Sequence, residues 1–279
     1  MAIPGKLRKV LRIAFIVAVL VTIGMFWYDE IVYYFFDEYE EGDLPTTCEE
    51  GANVAVIYVY GEIVGYAEEY LEDYTYTTSD EVLSYLDSIN QNSDIQAIIV
   101  QINSGGGDGF AGEEIRDALR RSEKLVIALV RGVCASAAYE LAIGADKIYA
   151  RETSDIGSIG VTMSYLDYSQ QNKEEGLIFR QLSAGEFKDA GRPDKKLTEE
   201  ERALFMRDIN KIQEIFIETV AEYRNMDIET VREYADGSTM LGIDAKEVGL
   251  IDEIGDLEDV KQYLRDEFSI EPILCVYEK

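Results

Sequence analysis

The pattern of apolar and polar positions divides the chain into alternating strands and helices. Asn53–Ile63 (NVAVIYVYGEI) is rich in β-branched and aromatic residues and predicts a first strand. Ser79–Ile89 (SDEVLSYLDSI) has helical periodicity, with Ser79 or Asp80 as its cap. Ile95–Ile102 predicts a second strand running into Asn-Ser-Gly-Gly-Gly, Glu113–Arg121 a helix, and Leu125–Val130 a buried third strand. A turn over Val133–Ser136 leads into a helical segment opened by Ala137, and Lys147–Ala150 is a short strand. Thr198–Arg224 reads as a long helix opened by a capping box, Thr198 with Glu201 three residues on. Helices over Asp227–Ala235 and Asp256–Glu267 and a closing strand over Pro272–Tyr277 complete the pattern. Strands and helices alternating at these lengths predict an α/β fold with a parallel sheet.

The N-terminal pattern is different. Val10–Tyr28 is apolar except for Arg12, a length that suits a membrane-spanning helix. Lys6, Arg8, Lys9 and Arg12 lie on one side of its uncharged core, Asp29 and Glu30 on the other, which predicts a cytoplasmic N-terminus. No small-x-small cleavage site follows, so the run reads as a signal anchor rather than a removed signal peptide. The expected organisation is a cytoplasmic tail (1–9), an anchor (10–28), an acidic juxtamembrane stalk (29–52) and an extracytoplasmic domain (53–279).

Composition narrows the chemistry. The 279 residues carry a net charge of −29, which would repel a phosphate backbone and excludes nucleic acid as a partner. Three cysteines, Cys48, Cys134 and Cys275, with no CxxC spacing indicate neither a zinc site nor a disulfide framework. Histidine is absent, so no Ser-His-Asp triad, Cys-His pair or His-ligated metal exists within the chain. A hydrolase built from these residues must take its base elsewhere, and lysine is the main choice.

Ser136 stands where a strand turns into a helix, beside the unbonded N–H groups of a helix start. That is where a nucleophile is wanted, and equally where a helix N-cap is found. Cys134, two residues earlier, reads as core packing. Gly105-Gly106-Gly107 permits close backbone approach, as an oxyanion hole or only as a turn. A lysine loses its proton near neutrality only if buried or surrounded by donors. Lys188, between glycines in a segment that is neither clear helix nor clear strand, is a modest favourite for that part.

Five segments make the chain resemble the signal peptide peptidase A family of membrane-bound Ser-Lys proteases, in its short single-repeat form. Gln101–Ile115 is similar to the family's INSPGG segment, and Cys134–Tyr139 to its serine motif, Ala-Ser-Gly-Gly-Tyr. Gly157–Val161 matches GSIGV, and Gly185–Glu201 the lysine segment GxYKDAGxP with LTEEE. Asp236–Gly255 resembles the late segment ending in glycine-leucine-valine-aspartate. The resemblance implies a ClpP/crotonase-like parallel sheet core with surrounding helices. It places Ser136 on the nucleophile, Lys188 on the general base and Ser158 on a serine that orients the lysine. Gly106 and the N–H of Ala137 fall on the oxyanion hole, and no metal or cofactor is implied. It further implies homo-oligomers in which serine and lysine meet from neighbouring subunits. The implied substrates are residual signal peptides and other unfolded apolar segments, cut at the outer face of the cell membrane. Two departures stand out: Gly105 replaces the family's proline, and Ala137-Ala138 replaces Gly-Gly. Two other readings are weighed beside it. One is an acyl-CoA hydratase or isomerase of the same fold, which would need a carboxylate in place of the serine. The other is a catalytically silent membrane scaffold.

Overall fold

A computed structural model describes residues 46–48, 50–67 and 75–277. The expected anchor at 10–28 and the stalk as far as residue 45 lie outside the described residues. Among the described residues no helix is long and apolar enough to cross a membrane.

Three long parallel strands form the centre of the sheet: β2 (Val54–Val64), β4 (Ala97–Gly107) and β5 (Leu125–Ala135). Their first halves are apolar at nearly every position because both faces of the sheet are covered. Around them lie β1 (Thr46–Cys48), β3 (Tyr76–Thr78), β6 (Lys147–Ala150), β7 (Asp155–Gly157), β8 (Thr239–Leu241), β9 (Glu253–Ile254) and β10 (Leu274–Tyr277). The main order is β1-β10-β2-β4-β5-β6-β9, with β3 beside β2 and β7 between β5 and β8. Among the described residues, only the β1/β10 and β7/β8 pairs are antiparallel.

The register slips between Tyr60 and Glu62 and again between Ile102 and Ser104, and these irregularities bend the long strands. Before the bend, β2 pairs with β10 and β5 with β6; beyond it, β2 pairs with β3 and β5 with β7. The distal halves of β4 and β5 carry the glycine triplet and the residues leading to Ser136.

On one face, Val260 and Leu264 of α8 (Leu257–Phe268) pack against Val56, Ile99, Ile127 and Leu129. Three further helices are α1 (Ser79–Gln91), α2 (Gly109–Arg121) and α3 (Ala137–Ala142), whose Leu86, Ile115 and Tyr139 are buried. The remaining helices are α4 (Ser169–Glu174), α5 (Glu199–Arg224), α6 (Ile228–Tyr234) and α7 (Gly242–Val248). The capping box of Thr198 and Glu201 opens α5 as expected.

Several expectations need correction. The α1 cap is Thr78, which accepts the N–H of Glu81; the Ser79 hydroxyl instead donates to Glu114 Oε2 at 2.6 Å. Helix α2 starts at Gly109, four residues before Glu113, because glycine at 112 is a packing requirement rather than a break. A Cβ there would lie 2.8 Å from the Ala137 carbonyl oxygen, so glycine lets α2 and α3 touch backbone to backbone. Strand β5 continues to Ala135 through the expected turn, held by β7. The sheet begins at Thr46, inside the expected stalk. There Cys48 and Cys275 form a disulfide across β1 and β10, contrary to the reading of the cysteine spacing.

Candidate active site

Ser136 follows the last residue of β5 and precedes the first of α3, with φ 53° and ψ −126°. A positive φ at a residue with a Cβ costs about 1–3 kcal/mol and persists only where neighbouring structure imposes it. Here the Ser136 N–H donates to the Gly157 carbonyl at 2.8 Å, and its own carbonyl accepts the Glu140 N–H at 2.9 Å. The residue stands at the N-cap position, yet its hydroxyl makes no capping hydrogen bond. It lines a cleft of about 340 Å³, together with Gly107, Phe110, Glu113, Ala137 and Glu140. Ile212 and Phe216 of α5 form part of the opposite wall.

Gly106 has φ 104°, and a Cβ on it would lie 2.8 Å from the Ala135 oxygen and the Ser136 Cβ and 3.0 Å from the Ala137 nitrogen. Glycine at this point is what allows the end of β4 to lie against the serine. The Gly106 N–H donates to Ser104 Oγ at 3.0 Å, and that hydroxyl donates to the Gly61 carbonyl at 2.6 Å. Ala137, as the first residue of α3, has no intrahelical acceptor for its N–H. Both departures from the family pattern fit without strain. Ala137 and Ala138 are helical, outside the positive-φ residues, and the space around a side chain at Gly105 is open.

Ser158 sits beside this junction. Ala135 and Gly157 are register partners, so Ser136 and Ser158 each follow one member of the pair. Ser158 shares the positive backbone angle, φ 49°; its N–H donates to the Ser238 carbonyl at 2.8 Å and its Oγ to that of Gly237 at 2.9 Å.

Lys188 is not brought to Ser136 within one chain. It is exposed, in a turn closed by its own N–H to the Gly185 carbonyl at 3.2 Å, and it does not line the cleft. Among the described residues that line it there is no lysine. The segment leading to Lys188 exposes large apolar side chains, with Leu166 at 66%, Ile178 at 71% and Leu182 at 98%. Cys134 is buried; its thiol donates to the Ala138 carbonyl, and burial pushes its pKa far above the ordinary thiol range, which leaves it a core residue.

The carboxylates of the cleft belong to no catalytic motif in the sequence. Glu140 follows Ser136 by four residues and so lies on the same side of α3, a helical spacing that could have flagged it. It is 5% exposed and accepts a hydrogen bond from Arg116 Nη1 at 2.8 Å. Burial pushes its pKa up to about 7; Arg116 opposes this but is outweighed, and Glu113 and Asp117 add repulsion. The folded state therefore keeps a proton on Glu140 that the unfolded chain gives up near pH 4.5, and stability falls as pH rises from there to about 7. Relative to wild type, Glu140→Gln is expected to gain about 3 kcal/mol between pH 4 and pH 8. Denaturant unfolding of both proteins across this range checks it; a constant difference would refute it.

Residues 118–271 match the model of peptidase family S49, and residues 63–156 match that of Clp protease. A protease of Methanocaldococcus jannaschii is 34% identical over 184 residues, 65% of this chain and 59% of that one. A chain named signal peptide peptidase SppA in Enterococcus faecium is 31% identical over 227 residues, 79% of this chain and 66% of that one. A protease of Synechocystis is 32% identical over 197 residues, covering 70% and 71%. The matched region thus spans less than two thirds of the first two relatives. Among solved structures, ClpP1 from Listeria monocytogenes aligns at 19% identity and a TM-score of 0.48, covering 74% of this chain and 93% of that one. The strands and helices that carry Ser136 and the glycine triplet fall within the Clp-matched region, and the expected ClpP-like α/β core is the one observed. The match over more than half its length makes this chain a member of peptidase family S49, the family of the signal peptide peptidase A proteases.

Proposed function

We propose that the protein is a membrane-anchored serine endopeptidase that degrades residual signal peptides and unfolded apolar segments. The observation that carries this reading is the uncapped Ser136 hydroxyl, held at positive φ in a cleft beside a helix start. Lys188 of a neighbouring copy, as free amine, takes the Ser136 proton while Oγ attacks the peptide carbonyl. The resulting oxyanion is received by the Ala137 N–H and by the Gly106 N–H, which exchanges its bond to Ser104 Oγ for this one, and Ser158 orients the lysine. The protonated lysine gives its proton to the departing amine, and water activated by the same lysine hydrolyses the acyl-enzyme. Exposure of Lys188, together with a cleft that has no lysine among the described residues lining it, supports a base supplied by another subunit of a homo-oligomer. The apolar run at 10–28 supports an anchor holding the domain at the outer surface of the cell membrane. The name carried by the Enterococcus faecium relative supports signal peptides as substrates.

A fluorophosphonate probe tests the nucleophile directly. The full-length oligomer is expected to be labelled on Ser136, and Ser136→Ala to lose the label. Equal labelling of the variant would sink the assignment, and absence of labelling in both would favour the silent scaffold. Glu113 and Glu140 in the cleft favour, as second reading, an acid-base enzyme of the acyl-CoA type. That reading expects Ser136→Ala to retain activity on an acyl-CoA.

A further inference from the structure

The cleft beside Ser136 is apolar at its rim and acidic within. Phe110, Ile212 and Ile215 are 52, 46 and 43% exposed along its edge. Glu113 lies one helical turn beyond Phe110 on α2 and therefore on the same side of the helix. A further turn on, Arg116 bonds to Glu140 Oε1 and to Asp117 Oδ1, each at 2.8 Å. Glu113 is left over. Among the described residues it has no hydrogen-bond donor or cation of its own, and it faces Glu140, another carboxylate. Arg116 is matched by Asp117 and Glu140, which leaves the Glu113 carboxylate in the cleft without a countercharge among the described residues.

Resting on the serine-protease reading above, we propose that this cleft receives the substrate side chain on the acyl side of the cut bond, and that Glu113 selects lysine or arginine there. The long methylene stem of such a residue lies against the apolar rim while its cationic end reaches the carboxylate, which is how these side chains divide themselves between apolar and polar surroundings. The pair formed is a charge-assisted hydrogen bond, stronger than a neutral one. A neutral aliphatic side chain fills the same space but strips water from Glu113 without replacing it. An acidic side chain adds repulsion. The volume of about 340 Å³ admits one long side chain with accompanying water.

The test uses full-length protein in detergent and matched fluorogenic peptides differing only at that residue: lysine, arginine, norleucine or glutamate. Cleavage is measured with wild type, and binding of the same peptides with Ser136→Ala. Lysine and arginine peptides are expected to exceed norleucine by about 10-fold or more in kcat/KM and in affinity, with glutamate last. Glu113→Gln is expected to bring the lysine-to-norleucine ratio to within about threefold, and Glu113→Lys to shift preference toward glutamate. A ratio near one in wild type, or one unchanged in Glu113→Gln, overturns the inference, as does failure of Ser136→Ala to bind any of the peptides. Glu113-dependent lysine preference in binding without cleavage would retain the inference and overturn the protease reading. Cleavage abolished by Ser136→Ala but indifferent to lysine would do the reverse.

Discussion

Ser136→Ala and Lys188→Ala are each expected to abolish peptide hydrolysis, and their mixture to restore it. In well-characterised serine proteases, loss of the nucleophile costs about 10⁴–10⁶-fold in kcat. Loss of the base costs about 10²–10⁴-fold. If every site takes its serine from one subunit and its lysine from the next, a mixed ring contains complete sites even though no subunit is intact. With equal amounts and random order, half the serines are intact and half of those meet an intact lysine, so about a quarter of the activity returns. The physical basis is the position of Lys188 on an exposed, apolar segment outside its own cleft. A lysine in water keeps its proton, and only burial against a neighbour makes it a base. The measurement is hydrolysis of a fluorogenic apolar peptide by full-length variants dissociated, mixed and reassembled, with mixed assembly verified by differential tags. A mixture with verified mixed rings and no recovered activity would place both residues in one chain.

The second large effect concerns the Cys48–Cys275 bond. It joins residues 227 apart in sequence and fastens a three-residue strand at the sheet edge. Closing so long a loop restricts the unfolded chain strongly, and removal of the bond is expected to cost about 2–5 kcal/mol. Urea unfolding with and without reductant, and of Cys48→Ser, should show a lower midpoint whenever the bond is absent. Unreduced, denatured protein should present a single reactive thiol, Cys134. Three reactive thiols, or a midpoint insensitive to reductant, would remove the bond from the account. A disulfide of this kind persists in an oxidising compartment.

The long elements were legible because their apolar residues are periodic and their caps are local. The capping box at Thr198 and the buried runs of β4 and β5 depend on nothing outside their own stretch. What escaped was set by distant partners. Gly109–Gly112 looks like a break until Ala137 is seen against Gly112, and β7 and β8 become strands only by pairing with β5 and each other. At the site, Ser136 was visible as a serine between strand and helix. The acidity of its cleft was not, since Glu113 and Glu140 come from different helices brought together by packing. The partner of Cys48 was equally hidden, because β10 lies at the other end of the sequence.

That location of β10 has a consequence for how the protein is made. Residues 274–277 occupy the place between β1 and the first half of β2, so β1 has no partner, and that half of β2 only β4 on its other side, until residues 274–277 have left the ribosome. During synthesis the apolar edge of β2 at Val54–Ile57 stands open, a template for any other extended segment nearby. The nascent protein therefore depends on protection at the edge that β10 will close, and mutations that slow the arrival of Leu274–Tyr277 should be read out as aggregation during expression before they are felt as instability of the finished fold.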